Sequence, residues 1–452
     1  MIDVVILGAG PAGMSAALEL LGHGLTVAVV DDQPAPGGRI FAAIETREVH
    51  GSDERLGADL VARFRAAGGQ YLSATEAWQI EAGPRVFLTH AGQAQIFEPR
   101  FVLLATGAQE RPMPFPGWQL PGVMTVGAAQ ILLKTARQIP DAPVWIAGSG
   151  PLLLLYARQL TDAGGKVAGI LDTTLPGGTM RAAALVPGAM GFGWRDMLRG
   201  VGWLARKPTP RVIRGVTALE VLGDGRVDRV RYTQRNGGTG EVTTNLLLVH
   251  DGVVPGIHAT LSAGCAHRWN DTQHCFEPVV DHCGASSEPA IYVAGDAAGI
   301  TGGKAAICSG RLAAVAIARS AGRITSAVAD KVAKPLLKDM KAARGFRRFV
   351  DTMYPPVELA IPDATMVCRC EEVTARQIRD VLADRPQLGP DGVKAFTRAG
   401  MGPCQGRQCG LSINRLIAEV HGTAPGEIGF LRIRPPLKPL TLGELAGLDT
   451  AR

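Results

Sequence analysis

The chain has 452 residues, 46% of them hydrophobic, with 57 glycines and 30 prolines spread along its length. That composition suits a turn-rich α/β protein of roughly two to four domains and excludes a disordered tract. A formal net charge of +6, with no basic stripe interleaved by aromatics, excludes a nucleic-acid binder.

The N-terminus, Met1-Ile2-Asp3, runs straight into an apolar segment without a basic leader, so a cytoplasmic chain is expected rather than a secreted one. The longest apolar stretches, 143–157 and 182–194, fall short of the ~18 residues of a spanning helix and are broken by Gly or Pro, so no transmembrane segment is expected. In that compartment the eight cysteines read as thiols or cluster ligands, not disulfides.

The stretch 4–17, VVILGAGPAGMSAA, reads as strand, tight turn and helix. Gly8 permits the turn, Gly10 lets the backbone approach a pyrophosphate, and Gly13 lets the helix pack closely on the strand. Pro11 and Ala12 lie at the helix N-terminus, whose amides face phosphate charge. A second strand over 26–30 ends in Asp31 and Asp32, where a ribose-binding acid is expected about 20 residues on. The turn 33–39 places Gly38 where a cofactor can lie against backbone and Arg39 where it can meet charge; an ordinary Pro/Gly loop is the alternative.

The spacing predicts a helix over 55–67 and a strand over 70–78 that carries Ala77, a further candidate contact. A hairpin pairing 86–90 with 95–104 is expected about Ala91-Gly92. The strand 101–105 runs into Thr106-Gly107-Ala108, where small residues again permit close approach.

A second βαβ unit follows, with a strand over 143–147, the turn Gly148-Ser149-Gly150, a helix to about 163 and a strand over 166–171 ending at Asp172. Its third fingerprint glycine is replaced by Leu153, which weakens close helix–strand packing. Asp172 favours a free ribose hydroxyl, and no Arg pair follows to hold a 2′-phosphate, which argues against NADP. Bound NAD, another adenine nucleotide and an empty relic stay open.

Residues 180–210, with Trp194 and Trp203, form an apolar helical insertion. A hairpin of 216–222 and 226–233 about Gly223-Asp224-Gly225 closes the second domain. Residues 258–283 hold His258, Cys265, His267, His274, Cys275, His282 and Cys283, but without paired metal-ligand spacing. A helix is expected from 299 to 311, with Lys304 near its start as a candidate cation and Cys308 as packing. A long basic amphipathic segment, 327–350, and a Pro-rich linker, 354–362, follow.

Cys368 and Cys370 form a CxC, and after 33 intervening residues Cys404 and Cys409 form a Cx4C. Two thiolate pairs at the ends of a short module suit a four-coordinate metal or an iron-sulfur centre. Thr374 and Gln377 predict a capping box for a helix to about 384, with further helices over 391–398 and 411–421. Gly402, Gly406 and Gly410 offer close amides to sulfur, and Arg369 and Arg407 offer compensating charge. The tail, 425–452, is expected to pack back as an extended strap.

GAGPAG, ATGAQERPMPFPGW and IYVAGDAAG, in this order, resemble the glutathione-reductase-like two-dinucleotide-domain flavoproteins. The resemblance implies two Rossmann-like domains, the second inserted in the first, with FAD in the first and Gly295-Asp296 near its ribityl chain. CRCEEVT…GPCQGRQCG resembles the [2Fe-2S] module of bacterioferritin-associated ferredoxins, a small helical domain. The expected division is 1–115 with 255–330 for FAD, 116–254 for the second nucleotide-binding-like domain, 331–362 for helix and linker, 363–424 for the [2Fe-2S] domain and 425–452 for the strap.

No cysteine lies between Met1 and Gly264, so flavin-linked disulfide chemistry is not expected. With ERPMPFPGWQLPGVMTVGAAQ and VHDGVVPG, the whole chain resembles the flavoprotein α subunits of heteromeric amino-acid dehydrogenases of the opine oxidase, D-hydroxyproline dehydrogenase, dye-linked proline dehydrogenase and hydrogen cyanide synthase type. That resemblance implies an electron-transfer role. The partner would be an FAD-dependent, amino-acid-oxidase-like β subunit that oxidises the C–N bond, with FMN at the interface in some members. A small γ subunit and a respiratory acceptor are further expectations, as is a position peripheral to the inner membrane. A self-sufficient NADH-dependent reductase is the alternative. Lys304 and Leu153 are departures from the family pattern.

Overall fold

The computed structural model describes residues 2–205 and 210–448, without side chains at 195–201 and 203–205, so the Trp203 side chain and the last residues of the expected strap lie outside what is described. The chain is α/β. Its first sheet is parallel and five-stranded, in the order Ile291–Val293, Phe101–Leu104, Val4–Leu7, Val27–Val30, Gln70–Leu72. The three central strands are nearly all apolar because both faces are covered. The helix Pro11–Gly22 lies on one face beside Gly303–Ser320, and a Cβ on Gly310 would sit 2.1 Å from the Ala12 carbonyl. That crossing therefore requires glycine.

Where one strand was expected over 70–78, Ala74 turns to a φ of 47° and divides it into Gln70–Leu72 and Thr75–Glu81. The second piece joins an antiparallel sheet with Arg85–His90 and Gln93–Phe97. The expected hairpin is thus shorter than 95–104: its return strand ends at Phe97, and Phe101–Leu104 belongs to the parallel sheet.

The second sheet is also parallel, in the order Arg211–Arg214, Val167–Asp172, Val144–Ser149, Leu247–Asp251, Val123–Thr125. Leu153, in the glycine position of its fingerprint, is buried among Ile146, Ile170 and Tyr156 and fills the helix–sheet gap. Val216–Leu222, Arg229–Gln234 and Thr239–Thr243 add an antiparallel sheet, its first turn longer than expected because Leu222 pairs with Arg229.

Ser326–Met353 is a 28-residue helix whose Ala333, Leu336, Met340 and Ala343 pack on Ala305 and Leu312. Its end crosses the insertion helices Gly178–Ala183 and Val186–Ala205, where Gly193 leaves room for the Phe346 ring. The cysteine module follows with helices Ala375–Asp384, Pro390–Thr397 and Gly410–His421. The capping box is formed: Thr374 accepts from Gln377 N–H, and the Gln377 side chain accepts from Thr374 N–H. Val367, Ile378, Ile413 and Leu416 join Val5, Val102 and Leu104 in one continuous core, so the module is seated on the first domain. Each fully buried aliphatic side chain there contributes about 1.5–3 kcal/mol. Trp118 Nε1 donates to the Met366 carbonyl at 2.6 Å, and the Arg369 guanidinium lies 5.2 Å from the Trp118 ring.

Candidate functional site

The first fingerprint opens into a cavity of about 510 Å³, within the range of about 300–1,000 Å³ usual for ligand pockets. Gly8, Gly10, Pro11, Ala12, Asp31, Asp32, Gly38, Arg39, Ala77, Thr106, Gly107, Gly295 and Asp296 line it together. Gly13 lies behind this wall, where a Cβ would sit 1.8 Å from the Gly8 carbonyl; its lack of a side chain lets helix meet strand. Gly10 differs, because a Cβ there would find nothing nearer than Gly38 Cα at 3.9 Å. Its missing side chain leaves open space facing the cavity. Gly38, with a φ of +58°, passes so close that a Cβ would lie 2.9 Å from Gly10 Cα. Free amides, a helix N-terminus and two glycines left bare make a cradle that fits a dinucleotide pyrophosphate.

The two acids at the end of the second strand do different work. Asp31 is buried and accepts from Ala9 N–H and, at 2.7 Å, from Gln33 N–H. Burial raises its pKa against those two bonds. Asp32 stands at the rim, 2.9 Å from Lys438 Nζ, which also reaches Glu76 at 3.1 Å. Burial raises Asp32, but the bonds from Gln33 and Lys438 outweigh it and hold the carboxyl below its ordinary value. Asp296 accepts from Thr301 and Gly302 N–H, both at 2.9 Å, and so braces the turn before the helix Gly303–Ser320.

Lys304 does not join this group. It points from the first turn of that helix to the surface, 3.0 Å from Asp53. A cation at the flavin edge is therefore not supplied by Lys304.

At the second fingerprint, Ser149 and Gly150 line a smaller cavity of about 200 Å³ with Arg111, His250, Asp251 and Gln273. Its other wall is the end of the long helix and the linker, namely Arg347, Val350, Asp351, Tyr354 and Pro356. Gly148 lies behind, where a Cβ would sit 1.8 Å from the His250 carbonyl. Asp172 does not line the cavity; it accepts from Thr174 N–H at 2.9 Å and caps its own turn. This volume is below that of ordinary ligand pockets, and the acid expected for a ribose is turned away. The residues present do not fit an extended dinucleotide.

The histidines and cysteines of 258–283 are dispersed. His267 bonds Thr260 and the Cys265 carbonyl, and His274 pairs with Glu358 at 2.9 Å. His258 lies in the wall of the first cavity, its Nε2 3.0 Å from the Gln405 carbonyl.

The four module cysteines meet in two pairs. Cys368 and Cys409 are buried and in hydrogen-bond contact, as are Cys370 and Cys404 nearer the surface. The bond from Cys409, with N–H groups of Gly400, Glu371 and Cys370, brings the Cys368 thiol down to about 6, while Cys409 is pushed up by the same bond and by burial. Among the described residues, no three His, Cys, Asp or Glu groups converge on one ion position. Four thiols in two contacting pairs, with amides aimed at Cys368, supply the two sulfurs per iron that a [2Fe-2S] centre needs. Gly402 packs closely on the Cys370 side chain, where a Cβ would lie 2.2 Å from Cys370 Cβ. Gly406 and Gly410 instead make room for Leu431 and the Phe430 ring.

The cysteine loop also forms part of the cavity wall. Arg407 lines the cavity, its carbonyl accepts from Gln109 Nε2 at 2.8 Å, and its Nη1 donates to the Cys404 and Leu437 carbonyls. The tail completes that wall with Leu437 and Lys438, Leu437 N–H bonding the Trp78 carbonyl at 2.8 Å. It is extended as expected between two short helices, Pro425–Ile428 and Leu442–Ala446. Gln109, His258, Leu437 and Lys438 carried no local signal as cavity residues; their neighbours in space lie far away in sequence.

Comparisons with known proteins agree with this division of labour. Residues 2–186 match the pyridine nucleotide-disulphide oxidoreductase family, and residues 366–419 match the BFD-like [2Fe-2S] binding domain. The chain is 41% identical to the A subunit of opine oxidase from Rhizobium meliloti, over 100% of this chain and 88% of that one. It is 34% identical to the HcnB subunit of hydrogen cyanide synthase from Pseudomonas aeruginosa, over 99% of this chain and 98% of that one. The L-proline dehydrogenase structure from P. horikoshii shares the fold, with a TM-score of 0.71 at 21% identity over 98% of this chain and 79% of that one.

A dinucleotide cradle with no cysteine among its described lining residues, and a four-cysteine module sharing its wall, define an FAD- and [2Fe-2S]-containing electron-transfer flavoprotein. The chain belongs to the family of the opine oxidase A subunits, which are flavoprotein subunits of heteromeric dehydrogenases. Among the described residues no helix is long and apolar enough to cross a membrane.

Proposed function

We propose that this chain is the electron-transfer subunit of a heteromeric dehydrogenase for an amino or imino acid of the opine, hydroxyproline or proline type. The substrate site lies in a partner similar to amino-acid oxidases, and a respiratory carrier takes the electrons onward. The observation that carries this reading is the wall shared by the dinucleotide cavity and the Cys404–Cys409 loop, through Gln109, His258 and Arg407. When bound, FAD takes up an electron pair and the [2Fe-2S] cluster passes electrons singly. The chain's residues supply the rest: Gly8, Gly10 and Gly38 cradle the diphosphate, Asp31 or Asp32 faces the ribose, Asp296 braces the turn beside the flavin, and the four cysteines hold the irons.

The small second cavity supports a relay over an NADH-fed reductase, since the end of the long helix stands where a nicotinamide dinucleotide would lie. Anaerobic rapid mixing tests the proposal. The isolated chain is expected to keep its flavin colour with NADH or with amino acids, and to lose it with an imino- or amino-acid substrate once the co-encoded oxidase-like partner is added. Fast bleaching by NADH alone, or amine oxidation by this chain alone, overturns it.

A further inference from the structure

The wall of the first cavity contains three cationic side chains, and they are not equivalent. Lys438 is held by two carboxylates, Asp32 and Glu76. Arg39 is exposed and bonds the neutral Gln33 side chain at 3.3 Å. Arg407 is half-buried, forms no ion pair among the described residues, and spends one nitrogen, Nη1, on the Cys404 and Leu437 carbonyls. Its Nε and Nη2 bond no other described residue. Asp32 acts on this guanidinium from a distance but is itself bonded to Lys438, so no carboxylate touches Arg407; a guanidinium desolvated on one side and without such a contact calls for an anion, and its planar fork suits a phosphate.

We propose that Arg407, from the loop between Cys404 and Cys409, binds the diphosphate of the dinucleotide and thereby couples the two cofactor sites. The inference rests on FAD occupying the first cavity, as proposed above. Gly10 and Ala12, at the helix N-terminus, offer amides to the diphosphate from one side, and Arg407 closes on it from the other. Because the same residue holds the Cys404 carbonyl through Nη1 and Gln109 through its own carbonyl, a diphosphate fixes the cysteine loop in the geometry that presents both sulfur pairs. Coupling of this kind is reciprocal: whatever FAD contributes to loop order, the ordered loop returns as FAD affinity.

The test uses the full chain with its cluster in place, stripped of flavin and titrated with FAD. Arg407→Gln is expected to weaken FAD binding at least tenfold and to flatten its dependence on salt, with iron content and the visible cluster spectrum unchanged. Arg407→Lys, which keeps charge but loses the fork, is expected to fall between. If Arg407→Gln does not retain its cluster, Arg407→Lys decides by the same criterion. In a second readout, saturating FAD is expected to slow the removal of iron by a chelator several-fold in the parent chain and to have no such effect in Arg407→Gln. FAD affinity within twofold of the parent in a folded variant overturns the inference. Gly10→Val separates the two claims: if it abolishes FAD binding while Arg407→Gln does not alter it, the coupling is wrong and the cavity assignment stands. An FAD affinity unmoved by Gly10→Val overturns the assignment itself.

Discussion

His258 and Gln405 meet across the seam between the dinucleotide domain and the cysteine module, the imidazole Nε2 lying 3.0 Å from the Gln405 carbonyl. Burial pushes His258 down to about 3 from its ordinary 6.5, with the Arg407 charge acting in the same direction, so the ring is neutral and Nε2–H is the donor. The seam is thus fastened by a neutral bond at a depth where a charged ring would be costly.

That sets a pH window. A histidine with a depressed pKa contributes stability that is present above 6.5 and is lost as pH falls towards 3, because the unfolded chain binds the proton first. At pH 5 the loss relative to pH 7 is about 2 kcal/mol, at 1.36 kcal/mol per unit. Thermal melts of the parent and His258→Gln between pH 4 and 8 check this: the parent should lose stability with acid more steeply than the variant.

Asp251 behaves in the opposite sense. Its carboxylate accepts from Val357 N–H at 2.9 Å and sits 3.9 Å from Arg111 Nε, and burial pushes it up to about 6 from 3.8. A raised acid contributes stability that is full below 3.8 and is lost as pH rises through 6. Asp251→Asn should therefore gain on the parent by about 2 kcal/mol between pH 4 and pH 7, read from their urea unfolding curves.

The two fingerprint glycines should part company. Gly13→Ala drives a Cβ to 1.8 Å from the Gly8 carbonyl and is expected to destabilise the fold by about 1–3 kcal/mol. Gly10→Ala meets no protein atom nearer than 3.9 Å and has an ordinary φ of −76°, so stability should hold within about 0.5 kcal/mol while FAD affinity drops. Equal effects of both on melting temperature would contradict the assignment of that empty space.

Either buried cysteine should be indispensable to the cluster. Cys409→Ser is expected to remove the iron and acid-labile sulfide and, because the loosened loop returns less affinity, to weaken FAD binding without abolishing it. Iron retained near two atoms per chain after that change would count against the pairing of Cys368 with Cys409.

Much of the fold was legible because its signals are local. The turn at Gly8 to Gly13, the capping box at Thr374 and Gln377, and the buried strands each follow from residues within a few positions of one another. Ala74 broke a predicted strand since a positive φ at a non-glycine leaves no trace in an apolar pattern. The misplacement of Lys304 has a similar origin: its distance from the flavin motif is short in sequence, but helix rotation turns it to Asp53. The cavity's far wall was illegible for a different reason. Lys438 meets Asp32 across 406 positions, and nothing near either residue announces the other.

The contact between Asp32 and Lys438 also bears on how the protein is made. Folding during synthesis proceeds from the N-terminal end, so the glycine cradle emerges among the first residues while Leu437 and Lys438 leave the ribosome among the last. Until then the cavity lacks a side. A chain cut short before residue 437 therefore lacks that side of the cavity and the ion pair it makes with Asp32.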